Sequence, residues 1–130
     1  MSDTIQVSSE IQPLKRVIVH RPDAGIARVS PKYAEELLFD DIVYLPQMQK
    51  EHDVFTEVLR AFVGKDNVLE TSQLLVESLG ANAEGRQEMM EKIMYYEEIP
   101  QRYRETLEGL PDEKLAEVLI TGYYAENDHI

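Results

Sequence analysis

Two short apolar runs separated by a long helical pattern limit the folds open to this chain. Val17–Val19 has basic neighbours and is closed by a turn at Pro22, as is typical of a short buried strand. Residues 68–69, a valine and a leucine, predict a second strand, and a helical pattern lies between the two runs. A strand, a helix and a strand in this order form a crossover unit whose strands lie parallel. We therefore expect an α+β fold in which these two strands pair.

Local signals predict the other elements of the first 80 residues. Residues 5–7 read as a short edge strand, and Gly25 allows a sharp change of chain direction. Ser30 followed by Pro31 predicts the start of a helix over residues 31–39, and Pro46 predicts another start. The helix after Pro46 is amphipathic, and its apolar face comprises Met48, Phe55, Val58, Leu59 and Phe62.

The second half of the chain shows helical periodicity throughout. Thr71 predicts the cap of a helix that ends at Gly80. Pro100, Gly109 and Pro111 then divide the sequence into three or four short amphipathic helices, which predict a small antiparallel bundle. The fold is thus expected to be predominantly helical. Its apolar positions are Leu74, Leu75, Leu79, Met89, Met90, Ile93, Met94, Tyr103, Leu107, Leu110, Leu115, Val118 and Leu119.

Composition excludes several classes of function. The chain of 130 residues has a net charge of −12, which argues against nucleic acids and anionic membranes as partners. It has no cysteine, so a thiol nucleophile and thiolate metal sites are excluded within it. The sequence shows neither an apolar run of spanning length nor a secretion leader, so a cytoplasmic location is expected.

The histidines do not form a recognisable metal-binding pattern. His20, His52 and His129 are scattered along the chain without ligand spacing, and no metal site is expected. His52 shares a helical face with apolar residues. We interpret His52 as a hydrogen-bonded residue at the edge of the core, with a catalytic role as the alternative.

Residues 37–42 place two acids inside an apolar run. An ionised carboxylate is costly to bury without a partner, so Asp40 and Asp41 must either point outward or meet a cation. In the first case they end the preceding helix and solvate its junction. In the second they contribute to a site for a cation such as a guanidinium, which offers a planar fork of donors that carboxylates match.

The order of these features resembles the amino-terminal part of arginine deiminases, within the guanidine-modifying superfamily. The resemblance rests on Ser9-Glu10-Ile11, on the run from Pro13 through Val17–Val19 to His20-Arg21-Pro22, on Leu37-Leu38-Phe39-Asp40-Asp41, and on Gln49-Lys50-Glu51-His52-Asp53. It is closest over residues 7–79. From Gly80 onward it rests on helical pattern and length.

The resemblance implies both a fold and a chemistry. Arginine deiminases hydrolyse L-arginine to citrulline and ammonia with a cysteine nucleophile, a histidine and two further carboxylates, and use no metal or organic cofactor. Their fold is a five-bladed αβ propeller with a helical bundle inserted after the first blade. Residues 1–79 would then form the first blade and residues 80–130 the bundle. The implied pocket-lining residues are Leu38, Phe39, Asp40 and Asp41.

No catalytic residue of that family is expected in this chain, since the segments that carry the cysteine, the histidine and the other carboxylates follow later. Alone, the chain is expected to be inactive. It is also expected to leave strand edges and apolar faces uncovered, so that it associates with itself or with a partner. Three hypotheses follow. In the first, the chain is the amino-terminal part of a deiminase-like hydrolase, completed by the rest of the enzyme, or one subunit of a split enzyme, completed by a second subunit. In the second, it is a free-standing non-catalytic module that binds a guanidine ligand or modulates a full-length relative. In the third, it is a helical protein-interaction module.

Overall fold

The computed structural model describes residues 5–27 and 44–122. Within them, β1 (Val17–Val19) is followed by α1 (Ala24–Ala27), α2 (Leu45–Val63), a 3-10 turn at Lys65–Asn67 and β2 (Val68–Glu70). The remaining elements are α3 (Thr71–Ala81), α4 (Ala83–Tyr96), a 3-10 turn at Gln101–Tyr103, α5 (Arg104–Glu108) and α6 (Asp112–Thr121). The predominantly helical α+β architecture is thus confirmed.

The two strands form the parallel pair that the crossover pattern predicts. Val17 lies opposite Val68, and Val19 lies opposite Glu70. α2 connects them and begins at Leu45 with Pro46 in its first turn, as expected. Because parallel strands run in one direction, the residues that follow β1 and β2 meet at the same edge of the sheet.

The core lies among the helices of the second half. Leu79 of α3, Met90 and Met94 of α4, Leu107 of α5 and Leu115 of α6 are buried together. The helical periodicity after Gly80 therefore predicted the core correctly, and the methionines serve as core side chains. α3 packs most extensively against α6 and runs continuously across the expected division between residues 79 and 80.

Two expectations at the start of the chain are corrected. Residues 5–7 are irregular, because in the described chain β1 pairs only with β2 and no neighbouring strand accepts the ladder hydrogen bonds of that run. Gly25 lies inside α1 instead of at a turn. A β-carbon there would lie 3.0 Å from Asp23 Oδ1, which accepts a hydrogen bond of 2.8 Å from the backbone N–H of Gly25, so glycine leaves room for this carboxylate at the start of α1.

Both expected boundaries of α3 also differ. Glu70, not Thr71, precedes the helix, and the Thr71 hydroxyl donates a hydrogen bond of 3.0 Å to the carbonyl of Val19. The helix continues through Gly80 to Ala81. A β-carbon on Gly80 would lie 3.2 Å from Asp112 Oδ2, so this glycine marks the close contact of α3 with α6.

The expected helix at residues 31–39 falls outside the described residues. In the described ranges, every helix is too short or too polar to traverse a bilayer.

Candidate functional site

A cleft of about 760 Å³ opens at the edge of the sheet where β1 and β2 end. Residues that follow the two strands form one side of it, and residues of α2, α3 and α6 form the others. Ligands of parallel sheets commonly bind outside the carboxyl ends of the strands. The cleft is therefore the candidate site in the described part of the chain.

His20 lies between two carboxylates, directly after the carboxyl end of β1. Its Nε2 is 3.1 Å from Asp23 Oδ2, and its Nδ1 is 3.3 Å from Glu70 Oε1. Glu70 also accepts hydrogen bonds from the backbone N–H of Arg21, at 3.1 and 3.3 Å. The end of β2 is thereby connected to the end of β1 by side chain as well as by backbone.

Arg21 connects the end of β1 to α2. Its Nε donates to Asp53 Oδ1 at 2.7 Å, and a terminal nitrogen donates to Asp53 Oδ2 at 3.0 Å. These hydrogen bonds, with the charge of Arg21, lower the pKa of Asp53 below its ordinary value. The hydrogen bond to Asp53 likewise raises the pKa of Arg21. Both side chains therefore keep their charges throughout the neutral pH range.

The side of the cleft formed by α2 contains further polar groups. Thr56 is buried, and its hydroxyl lies 3.3 Å from His52 Nδ1, so His52 is hydrogen-bonded as interpreted, although it lines the cleft and lies away from the hydrophobic core. Arg60 donates to Glu57 at 2.6 Å. Its Nε is buried and has no acceptor among the described residues.

The cleft carries an excess of negative charge. Two arginines, Arg21 and Arg60, face six carboxylates, and α6 supplies two of these. An electrostatic field of this sign favours cationic ligands. Among residues 5–27 and 44–122, no group of three or more histidine, aspartate or glutamate side chains is placed to hold a metal ion. The six carboxylates are Asp23, Asp53, Glu57, Glu70, Glu113 and Glu117.

The pocket-lining residues expected from the sequence stay a prediction. Leu38, Phe39, Asp40 and Asp41 lie outside the described residues. Sequence reasoning missed the cluster formed by His20, Arg21, Asp53 and Glu70. The available signal was the parallel pairing itself, because it places the residues after Val19 beside the end of β2.

Comparison with known proteins shows strong similarity to one family. A family model described as arginine deiminase matches residues 35–127 of this chain. The match extends well past Gly80, so the second half shares more than a helical pattern with that family.

Curated arginine deiminases show the same similarity over most of the chain. Proteins from Streptococcus pneumoniae strains Hungary19A-6, CGSP14 and 70585 are each 40% identical to it over 127 residues. The matched region is 93% of this chain and 30% of each relative, so the chain spans about a third of the length of these relatives.

Proposed function

This chain belongs to the arginine deiminase family, and on that premise we propose that it forms the amino-terminal part of a hydrolase that converts L-arginine to citrulline and ammonia. The observation that carries the proposal is the 40% identity over almost the whole chain to proteins named arginine deiminase. The crossover unit of β1, α2 and β2 is compatible with one blade of a propeller. In this proposal residues 1–79 are the first blade and residues 80–130 the inserted helical bundle.

The contribution proposed for this chain is to line the substrate pocket. Leu38 and Phe39 would exclude water from the bound guanidine, and Asp40 and Asp41 would present carboxylates to it. A guanidinium is planar and permanently charged, and it pairs most strongly with carboxylates in a site of low water content. The acid-rich cleft described above adds a field of the sign that attracts such a cation.

Catalysis itself would need groups from outside these residues. Attack on the guanidinium carbon requires an activated nucleophile and a positioned acid–base group. The chain has no cysteine, and loss of one member of such a set costs several powers of ten in rate. We expect the purified chain to release no citrulline from L-arginine. Steady citrulline production by a homogeneous preparation would contradict this.

Completion of the site tests the family activity directly. The chain is mixed with a separate polypeptide that comprises the remaining two thirds of a relative, including its cysteine, and citrulline is measured. Activity that needs both polypeptides supports the proposal. If the polypeptide made in the cell is as short as this chain, the same result supports a split enzyme. Absence of activity from a mixture that forms a stable complex argues against it.

Binding of L-arginine to the chain alone separates the proposal from the alternatives. Calorimetric titration is compared for the unmodified chain, for Asp41→Ala and for Asp66→Ala, which removes an exposed acid of the 3-10 turn after α2. Binding in the millimolar range or tighter that is lost only in Asp41→Ala favours a guanidine pocket or a guanidine-binding module. No binding, together with no activity in the mixture, leaves the protein-interaction module.

The size of the polypeptide that the source organism makes decides how the proposal applies in the cell. Immunocapture of the polypeptide from its source, followed by intact mass measurement, gives this size directly. A polypeptide about three times this length would place these residues within a complete hydrolase. This is the expected result, because the matched region covers 30% of each curated relative. A product of 15.0 kDa makes the split enzyme or the non-catalytic module the correct form of the proposal.

A further inference from the structure

The two ends of the segment formed by residues 28–43 are attached to elements of the described structure. α1 ends at Ala27, and Tyr44 directly precedes α2. The proposed pocket-lining residues 38–41 lie between these two points in sequence. A connecting segment can reach only positions that are compatible with where its two ends are held. Contacts that fix α2 relative to α1, and to the residues before α1, therefore influence the proposed pocket.

Three side-chain hydrogen bonds connect α2 to the residues before α1. Two of them are the bonds of 2.7 and 3.0 Å between Arg21 and Asp53. In the third, the side-chain amide of Gln49 donates to the carbonyl of Pro22 at 2.9 Å. Gln49 and Asp53 are four residues apart, so they lie on the same face of α2 in successive turns. The first half of α2 is thus attached at two points to two consecutive residues.

The residues to which α2 is attached are themselves held in place. Both carboxylate oxygens of Glu70, at the end of β2, accept hydrogen bonds from the backbone N–H of Arg21, and Pro22 is buried. Asp23 accepts a hydrogen bond of 2.8 Å from the backbone N–H of Gly25, which lies in α1. α1 packs in turn against α2 and α6. The contacts therefore run without a gap from the sheet to both ends of residues 28–43.

We propose that Arg21, Asp53 and Gln49 are positioning residues for the substrate pocket, because they hold the two ends of residues 28–43 in the arrangement that lets residues 38–41 line it. The inference rests on the proposed function, since it takes residues 38–41 as part of the pocket. None of the three side chains needs to touch L-arginine. A guanidinium–carboxylate fork suits this role, because its two parallel hydrogen bonds fix orientation as well as distance.

Loss of these contacts should affect the use of substrate more than folding. The side chains of Arg21 and Asp53 are about half exposed, and ion pairs of this exposure contribute little to stability. A displacement of about 1 Å in a substrate-positioning group, in contrast, can cost up to about 100-fold in rate. A small shift of the start of α2 would therefore be felt in the pocket.

Steady-state kinetics is the first test. Hydrolysis of L-arginine is measured for this chain combined with the remaining two thirds of a relative, with Asp53→Asn, with Gln49→Ala and with both changes. We expect KM to rise about threefold in each single variant and about tenfold in the double variant, with kcat changed less than about twofold. A merely structural role would lower the fraction of folded complex, and so the maximal rate, but would leave KM unchanged.

Further variants test the fork itself. Arg21→Lys keeps the charge but cannot make both parallel hydrogen bonds, so its KM should lie between those of the unmodified chain and Arg21→Ala. Combining Arg21→Ala with Asp53→Ala should raise KM no more than either change alone, because the pair acts as one unit. Glu88→Gln is the matched control. It breaks an exposed ion pair of 2.7 Å within α4 and should leave KM unchanged.

Distances between spin labels test the anchoring without any activity. The chain has no native cysteine, so Ala27→Cys and Lys50→Cys, both at exposed positions, place one label on α1 and one on α2. Double electron–electron resonance should give a broader or displaced distance distribution when Asp53→Asn and Gln49→Ala are added. Glu88→Gln in the same labelled chain should leave the distribution unchanged.

The two measurements separate this inference from the proposed function. Label distances that do not respond to the double variant, or a lower maximal rate at an unchanged KM, would overturn the positioning role. An inactive mixture of the unmodified polypeptides would count against the proposed function and with it the pocket. The label distances would still decide whether the three side chains anchor α2.

Discussion

The guanidinium of Arg21 and the carboxylate of Asp53 are joined by two hydrogen bonds, of 2.7 and 3.0 Å, that connect the second residue after β1 to the middle of α2. The two residues are 32 positions apart in sequence. A paired fork of this kind fixes the relative orientation of the two groups as well as their distance. It therefore sets how the crossover helix lies against the sheet edge that carries the cleft.

The Arg21–Asp53 pair should make folding stability depend on acidity. Because its hydrogen bonds to Arg21 hold the pKa of Asp53 below the ordinary value, the unfolded chain takes up the proton at a higher pH than the folded chain does. The stabilisation is therefore fully present at neutral pH and is lost as the pH falls from about 4 through the folded-state pKa. Urea unfolding of the unmodified chain and of Asp53→Asn should differ at pH 7, and the difference should shrink as the pH falls below the ordinary value of about 4. Glu91→Gln, which alters an exposed acid of α4, serves as control, and a difference that stays constant with pH would contradict the prediction.

The hydroxyl of Thr71 should stabilise the sheet edge. It donates to the carbonyl of Val19, so Thr71→Val keeps the shape of the side chain but leaves that carbonyl without this donor. We expect a loss of about 1 kcal/mol in the free energy of unfolding. Thr71→Ser retains the hydroxyl and should recover most of this loss. Equal stability of the valine variant and the unmodified chain would show that the hydrogen bond contributes nothing.

Arg86 should be more sensitive to replacement than other arginines of the bundle. Its Nε donates to Asp112 at 3.1 Å and a terminal nitrogen donates to the carbonyl of Leu110 at 2.8 Å, so one side chain connects α4 to the start of α6. Lysine cannot make both bonds, and Arg86→Lys should cost about 1–2 kcal/mol. Arg104→Lys, whose partners lie within its own turn, should cost less than about 0.5 kcal/mol. Thermal unfolding of the two variants makes the comparison, and equal losses would contradict it.

Leu115 should be among the most costly core positions. Its side chain is fully buried between α6 and the helices that pack on it. Leu115→Ala should lower the free energy of unfolding by about 3 kcal/mol, through lost apolar burial and the cavity left behind. Phe62→Ala, at an exposed position, should change it by less than about 0.5 kcal/mol. A small effect of Leu115→Ala would mean that the bundle core is loosely packed.

Much of the fold is predictable from local sequence. β1, α2 and β2, their parallel pairing and the helical core after Gly80 all follow from residue periodicity and from turn residues. Two glycines show the limit of local signals. Gly25 looks like a turn residue in isolation but lies in α1 close to the Asp23 carboxylate, and Gly80 looks like a cap residue but permits a close contact with Asp112 of α6, far away in sequence.

The candidate site was much less predictable. The acids at positions 40 and 41 attract attention because they interrupt an apolar run, whereas His20, Asp53 and Glu70 stand in ordinary surroundings and become notable only when the strands meet. The apolar side of α2 is a similar case. Its periodicity predicts an amphipathic helix, but only the tertiary structure reveals that Val58 and Phe62 face solvent.

By itself, the sequence determined which segments form helices and strands, the family to which the chain belongs and the absence of a thiol nucleophile, because periodicity, identity and composition are properties of the chain alone. The tertiary structure decided which charged groups converge at the sheet edge and which apolar face stays uncovered. The physical reason is that ion pairing and burial depend on distances between elements, and only packing sets those distances.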